Sequence, residues 1–99
     1  MFDNDLFSKL SDLKKMADES SKKLESITVE GEAGGNLVVI EMNGNRQIKS
    51  IRIHTDHKLI DISDLEDLLT VAFNRALDKV NKINEEEVMQ SSKNLFPNL

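Results

Sequence analysis

Leu6, Leu10, Leu13, Ala17, Ser20 and Leu24 recur at alternating spacings of four and three, the period of one packing seam on an α-helix. The pattern predicts a helix over 4–25. Its outer face sets acid before base at Asp18–Lys22 and Glu19–Lys23, the favourable order for pairs four residues apart. No glycine or proline interrupts it before Ser26.

The period then changes from helical to alternating. Residues 27–33, Ile-Thr-Val-Glu-Gly-Glu-Ala, read as a half-solvated strand, and Gly34-Gly35 supplies the dihedral freedom a reversal needs. Residues 37–42 form the second strand, followed by Asn43-Gly44, a strong hairpin signal. Residues 47–54 form the third. Within it Ile48 and the Ile51/Ile53 pair fall on opposite parities, which predicts a bulge near Lys49-Ser50. The loop His54-Thr55-Asp56-His57-Lys58 leads to Ser63-Asp64-Leu65-Glu66, a capping-box pattern that opens the last helix.

That helix is predicted over 63–92, with Leu65, Leu69, Phe73, Ala76, Val80 and Ile83 on one seam and Leu68 and Ala72 widening it. At 1.5 Å per residue it measures roughly 40 Å. A domain of this size has a radius of gyration of only about 13 Å. The seam at Val80 and Ile83 therefore outruns one subunit, and a second copy of the chain is expected to cover it. Residues 93–99 read as a loose tail. The whole is one α+β domain over 1–99, a helix, three strands and a helix, working as a homodimer.

Composition narrows the function. The 99 residues are 38% hydrophobic and 31% charged, enough for a small core, with a net charge of −5. The absence of Cys removes disulfides, thiol chemistry and cysteine metal sites. The longest apolar run, Leu37 to Ile40, is far too short to span a membrane. The start, Met1-Phe2-Asp3-Asn4-Asp5, lacks the features of a signal peptide, so a cytoplasmic location is expected.

Candidate chemistry is sparse. His54, Asp56 and His57 stand close enough to suggest a metal, but no further His exists to complete a set, and a polar turn accounts for them. Gly31 to Gly35 lacks the Lys-Ser/Thr of a phosphate loop and leads into a strand. Glu66/Asp67 and Glu85–Glu87 lie on helices without an apolar pocket to raise a carboxyl pKa. No catalytic residue, metal, cofactor or small-molecule substrate is expected.

The basic residues are more organised. Arg75, Lys79 and Lys82 share one side of the last helix, and Lys14, Lys15, Lys22 and Lys23 form two doublets on the first. The third strand adds Lys49 and Arg52, with Arg46 just before them. Taken alone, such spacing describes a solvated, salt-bridged surface. The lack of Trp and Tyr disfavours stacking on single strands, so a nucleic-acid partner would be duplex, held through phosphates.

The run Val29-Glu30-Gly31-Glu32-Ala33-Gly34-Gly35-Asn36-Leu37-Val38-Val39-Ile40-Glu41-Met42-Asn43-Gly44 resembles the central signature of the YbaB/EbfC family. Leu65-Glu66-Asp67-Leu68-Leu69 followed by Asn74-Arg75-Ala76 resembles that family's second helix. The resemblance implies a bacterial nucleoid-associated protein. Its fold would be a three-stranded antiparallel sheet with a helix at each end, dimerised into a tweezer-like shape whose projecting helices contact duplex DNA. Relative to the family pattern, Val39 makes the exposed sheet face more apolar, and Arg75 strengthens the helical stripe. The tail carries a single proline, Pro97.

Two functions follow. In the first, Lys14, Lys15, Lys22, Lys23, Arg75, Lys79 and Lys82 hold duplex DNA by its phosphates, with little sequence preference. In the second, the dimer is a protein-interaction module that uses the sheet face around Val39 or the tail and does not touch DNA.

Overall fold

The computed structural model describes residues 3–95. Its elements are α1 (Asp3–Ser26), β1 (Thr28–Ala33), β2 (Val38–Asn43), β3 (Ile48–Ile53) and α2 (Ile62–Leu95). The strands form one antiparallel sheet in the order β1-β2-β3. The architecture is α+β, helix–sheet–helix.

One face of the sheet carries Val29, Gly31 and Ala33 of β1 with their partners Met42, Ile40 and Val38 of β2. The bulge in β3 is present: Glu41 pairs with Ser50 and Met42 with Ile48, leaving Lys49 unpaired. The extra residue returns Ile48 to the parity of Ile51 and Ile53, so all three isoleucines share the core face.

Gly31 decides where α2 sits. A Cβ there would collide with the backbone of Ala72 and Ala76, so helix and strand approach as closely as two backbones can. Ala72, Ala76 and Val80 are completely buried on this line, against Ala33, Val38, Ile40 and Met42. Leu65, Leu68, Leu69 and Phe73 close the core from the flanks. Val80 therefore packs against Met42 of its own subunit, and the sequence-based reason for assigning it to a second copy does not hold.

The two hairpins differ in how they follow the glycines. Gly34, Gly35 and Asn36 all take positive φ (65°, 63° and 73°), as the glycine pair predicts. In the second hairpin the positive φ falls on Arg46 (64°) and not on Gly44. The loop is three residues long, closed by Asn43 N–H donating to Gln47 O at 2.9 Å. The buried Asn43 side chain staples it: Oδ1 accepts from the N–H groups of Asn45 and Gln47, and Nδ2 donates to Gln47 Oε1 at 2.8 Å. Gly44 is needed for space, because the end of α1 lies against it and its N–H donates to Leu24 O at 2.9 Å. Asn84 Nδ2 reaches the Gly44 carbonyl at 2.7 Å, so α1, the hairpin and α2 meet at one point.

The helix start is also corrected. Leu65 N–H donates to Asp61 O at 3.0 Å, which places Asp61 at the N-cap and Ser63 inside the first turn; the capping box does not form. At the other end α2 continues through Lys93 to Leu95, taking in residues expected to be loose; the rest of the tail lies outside the described residues.

From their meeting point α1 and the second half of α2 run away from the sheet side by side, giving the chain a length of 71 Å against widths of 22 and 19 Å. Leu13, Ala17, Ser20 and Leu24 of the α1 seam face Asn84, Glu87, Val88 and Ser91. Glu87 ties the pair, accepting from Ser20 Oγ at 3.0 Å and from Lys23 Nζ at 3.0 Å. The Lys23 hydrogen bond, helped by Ser20 and Lys23's charge and opposed by desolvation, holds the Glu87 carboxyl below its ordinary pKa.

Gly31→Ala is expected to lower stability by about 1–3 kcal/mol, the usual cost of overpacking, readable as a reduced urea midpoint with an unchanged m-value. The Glu87 node has a definite pH dependence. Its folded carboxyl binds a proton less readily than the unfolded one, so its stabilisation is complete above the ordinary carboxylate range and fades as pH falls through the lowered value. Melting temperatures of the parent chain and Glu87→Gln should differ at neutral pH and converge in acid.

Candidate nucleic-acid interface

Arg75, Lys79 and Lys82 do share one exposed side of α2, the side that overhangs β1. Two of them are not free. Arg75 Nη1 donates to the Glu32 carbonyl oxygen at 2.7 Å, and Lys79 Nζ donates to the Glu30 carbonyl oxygen at 2.6 Å. Lys82 is exposed and makes no hydrogen bond or ion pair among the described residues. Glu32 and Asp78 line the same shallow recess as Arg75 and Lys79, so the local field is mixed.

On α1 the lysines divide. Lys14, Lys15 and Lys22 are exposed and unpaired among the described residues, whereas Lys23 is held by Glu87. At 100° per residue Lys14, Lys15 and Lys22 fall within about 100° of one another and share one side of α1, whereas Lys23 lies about half a turn from Lys14. The seven cations thus lie on the two helices, with Lys23, Arg75 and Lys79 held in intramolecular contacts.

Arg46 in the second hairpin and Arg52 on β3 have other work. Arg46 Nε donates to Asn81 Oδ1 at 2.9 Å and fastens the hairpin to α2. Arg52 crosses the sheet face opposite α2 to meet Glu30 at 2.7 Å and Glu41 at 3.7 Å. Val39, opposite Arg52 in register, is only 5% exposed, so the apolar sheet face expected around it is not on the surface. The loop after β3 is a built turn: Asp56 accepts from Lys58 N–H through Oδ1 and from Leu59 N–H through its carbonyl.

Exposed apolar residues lie elsewhere: on α1 Leu6, Phe7, Leu10 and Leu13 are well exposed, and β3 carries three more. α2 rests on β1 and β2 and leaves β3 bare, so Ile48, Ile51 and Ile53 are 46, 49 and 42% exposed on the core face. The pattern of isoleucines was visible in the chain; what leaves them uncovered is the lateral position of α2, which no local pattern reports. Among the described residues, no helix is long and apolar enough to cross a membrane.

Comparisons with known proteins agree with this architecture. The chain is 36% identical over 72 residues to a nucleoid-associated protein of Legionella pneumophila (strain Corby), a match covering 73% of this chain and 64% of the relative's length. It is 37% identical to a nucleoid-associated protein of Anaeromyxobacter dehalogenans (strain 2CP-C), covering 81% of this chain and 79% of the other. The crystal structure of protein HP0035 from Helicobacter pylori superposes with a TM-score of 0.77 at 21% identity, over 87% of this chain and 91% of that one, which supports the fold. The model of the YbaB/EbfC DNA-binding family matches residues 1–95, and the chain belongs to that family.

Proposed function

We propose that the protein is nucleoid-associated and binds duplex DNA as a homodimer, through phosphate contacts made by cations on its paired helices. Family membership over residues 1–95 carries this reading. The geometry supports it by setting Lys14, Lys15, Lys22 and Lys82 in solvent along an elongated helical pair, with Lys23, Arg75 and Lys79 beside them in intramolecular contacts. Phosphate contacts position a protein without reading bases, so little sequence preference is expected.

The dimer has a physical motive in β3. Ile48, Ile51 and Ile53 extend the core layer past the edge of α2, and a chain of this size gains from burying such a patch against a second copy. This replaces the argument from Val80. Ile83 faces Lys23, Ile27 and Gln90 near the root of α1, so it is a poor probe of dimerisation. A second reading, docking of a protein partner, draws support from Leu59 and Ile62, which stand 80 and 76% exposed before and at the start of α2.

Light scattering at micromolar concentration should give about twice the 11.2 kDa chain mass, and Ile51→Glu should shift it toward one chain without loss of helix signal. A parent chain that stays monomeric would remove the dimer.

Duplex binding should weaken with salt at a slope of about −0.9 in log–log form per phosphate neutralised. Lys22→Gln with Lys82→Gln removes two cations that make no contact within the described residues, so folding should be unaffected. The slope should flatten, and affinity should fall alike on unrelated duplexes. No binding by the parent at low salt would favour the protein-docking reading.

A further inference from the structure

We infer that Arg75 and Lys79 close the outer edge of β1 to strand pairing, so that this edge accepts an extended strand of a second copy only when both cations are removed. β1 and β3 are the two edges of the sheet. An edge strand offers a row of unpaired N–H and C=O groups, a template for another chain. Alternate residues of β1 point these groups away from β2. Glu30 and Glu32, two residues apart, belong to the outward set, and their carbonyls are the ones that receive Lys79 Nζ at 2.6 Å and Arg75 Nη1 at 2.7 Å.

The closure follows from the seat of α2 on Gly31. With Ala72 and Ala76 pressed onto the strand, the side chains at 75 and 79 emerge directly over its edge. An incoming strand meets two obstacles there. Its N–H donors find two outward carbonyls already taken by charged donors, whose hydrogen bonds are stronger than neutral ones. If the strand belongs to a second copy paired edge to edge, its own Arg75 and Lys79 also face those of the first, at the cost of like-charge repulsion. Replacing both by Ala removes the donors, the bulk and the repulsion together.

This inference does not depend on DNA binding, and its test contains no DNA. The chain carrying Arg75→Ala with Lys79→Ala should show, in sedimentation over a range of concentrations, about a twofold rise in weight-average mass over the parent as newly opened edges pair. The outward amides of Glu30 and Glu32 should exchange more slowly in that assembly than in the parent. Lys82→Ala removes a charge from the same side of α2 without touching β1, and should sediment as the parent does. Arg75→Lys with Lys79→Arg keeps a donor at each position and should do likewise. An Ala/Ala chain that sediments like the parent at every concentration, with fast outward amides, overturns the inference. Should that chain lose its helix signal, Arg75→Met with Lys79→Met, which keeps the aliphatic stems on α2 and removes both donors and both charges, is read by the same two measurements and the same two outcomes.

Discussion

The contact of α2 with Gly31 is the constraint on which the rest of the structure turns. A helix packed over the middle of a three-stranded sheet would cover all three strands about equally. Here the missing Cβ at 31, met by the small side chains of Ala72 and Ala76, lets α2 sink toward β1. The displacement has opposite effects at the two edges. On the β1 side the outer face of α2 overhangs the strand and delivers Arg75 and Lys79 to its carbonyls. On the β3 side it leaves three isoleucines without a cover. One edge carries charged donors on its carbonyls and the other is left apolar.

This asymmetry changes the meaning of a basic residue on α2. A cation that shares its donors with a backbone carbonyl is held in place, with part of its side-chain freedom already lost. Such a group has spare donors for a phosphate, since Arg carries five and Lys three. It also has a structural duty, so its removal disturbs the sheet edge as well as any ligand. Lys82 and the α1 lysines Lys14, Lys15 and Lys22 carry no such duty among the described residues. Only the second group reports on DNA cleanly.

The order of elements was legible because each left a local signature: the four-three seam of α1, the alternation of β1 and the parity break at Lys49. The bulge is the clearest case, since a half-buried strand cannot switch faces without one. Local pattern is silent where a residue answers to distant neighbours. Asn43-Gly44 reads as a two-residue turn, yet Gly44 is there because Leu24 lies against it, and the positive φ moves to Arg46. Val39 reads as a surface residue until Arg52 crosses to Glu30. Val80 reads as unpartnered until α2 settles over Met42. The site was legible as a set of residues but not as a surface, because helical spacing groups Arg75, Lys79 and Lys82 without showing that two of them reach β1.

The net charge of −5 weighs less against a polyanionic partner than it first suggests. Asp56, Asp61, Asp64, Glu66 and Asp67 cluster in the loop before α2 and in its first turns, against a single Lys58. Along α2 at 1.5 Å per residue, Asp64 lies roughly 27 Å from Lys82, whereas charges in physiological salt are screened over about 8 Å. That acidic end is therefore nearly invisible to a phosphate beside the helical pair. What such a phosphate feels is the nearby mixture of Lys82, Lys79 and Arg75 with Asp78, Glu85 and Glu86. A mixed local field gives little long-range steering, so the binding proposed above would rest on short-range contacts. In the dimer proposed above, two copies joined through β3 would double those contacts on one ligand, and the second set would bind at the high effective concentration set by the first. The proposed dimer would thus be the physical route by which an acidic chain holds DNA.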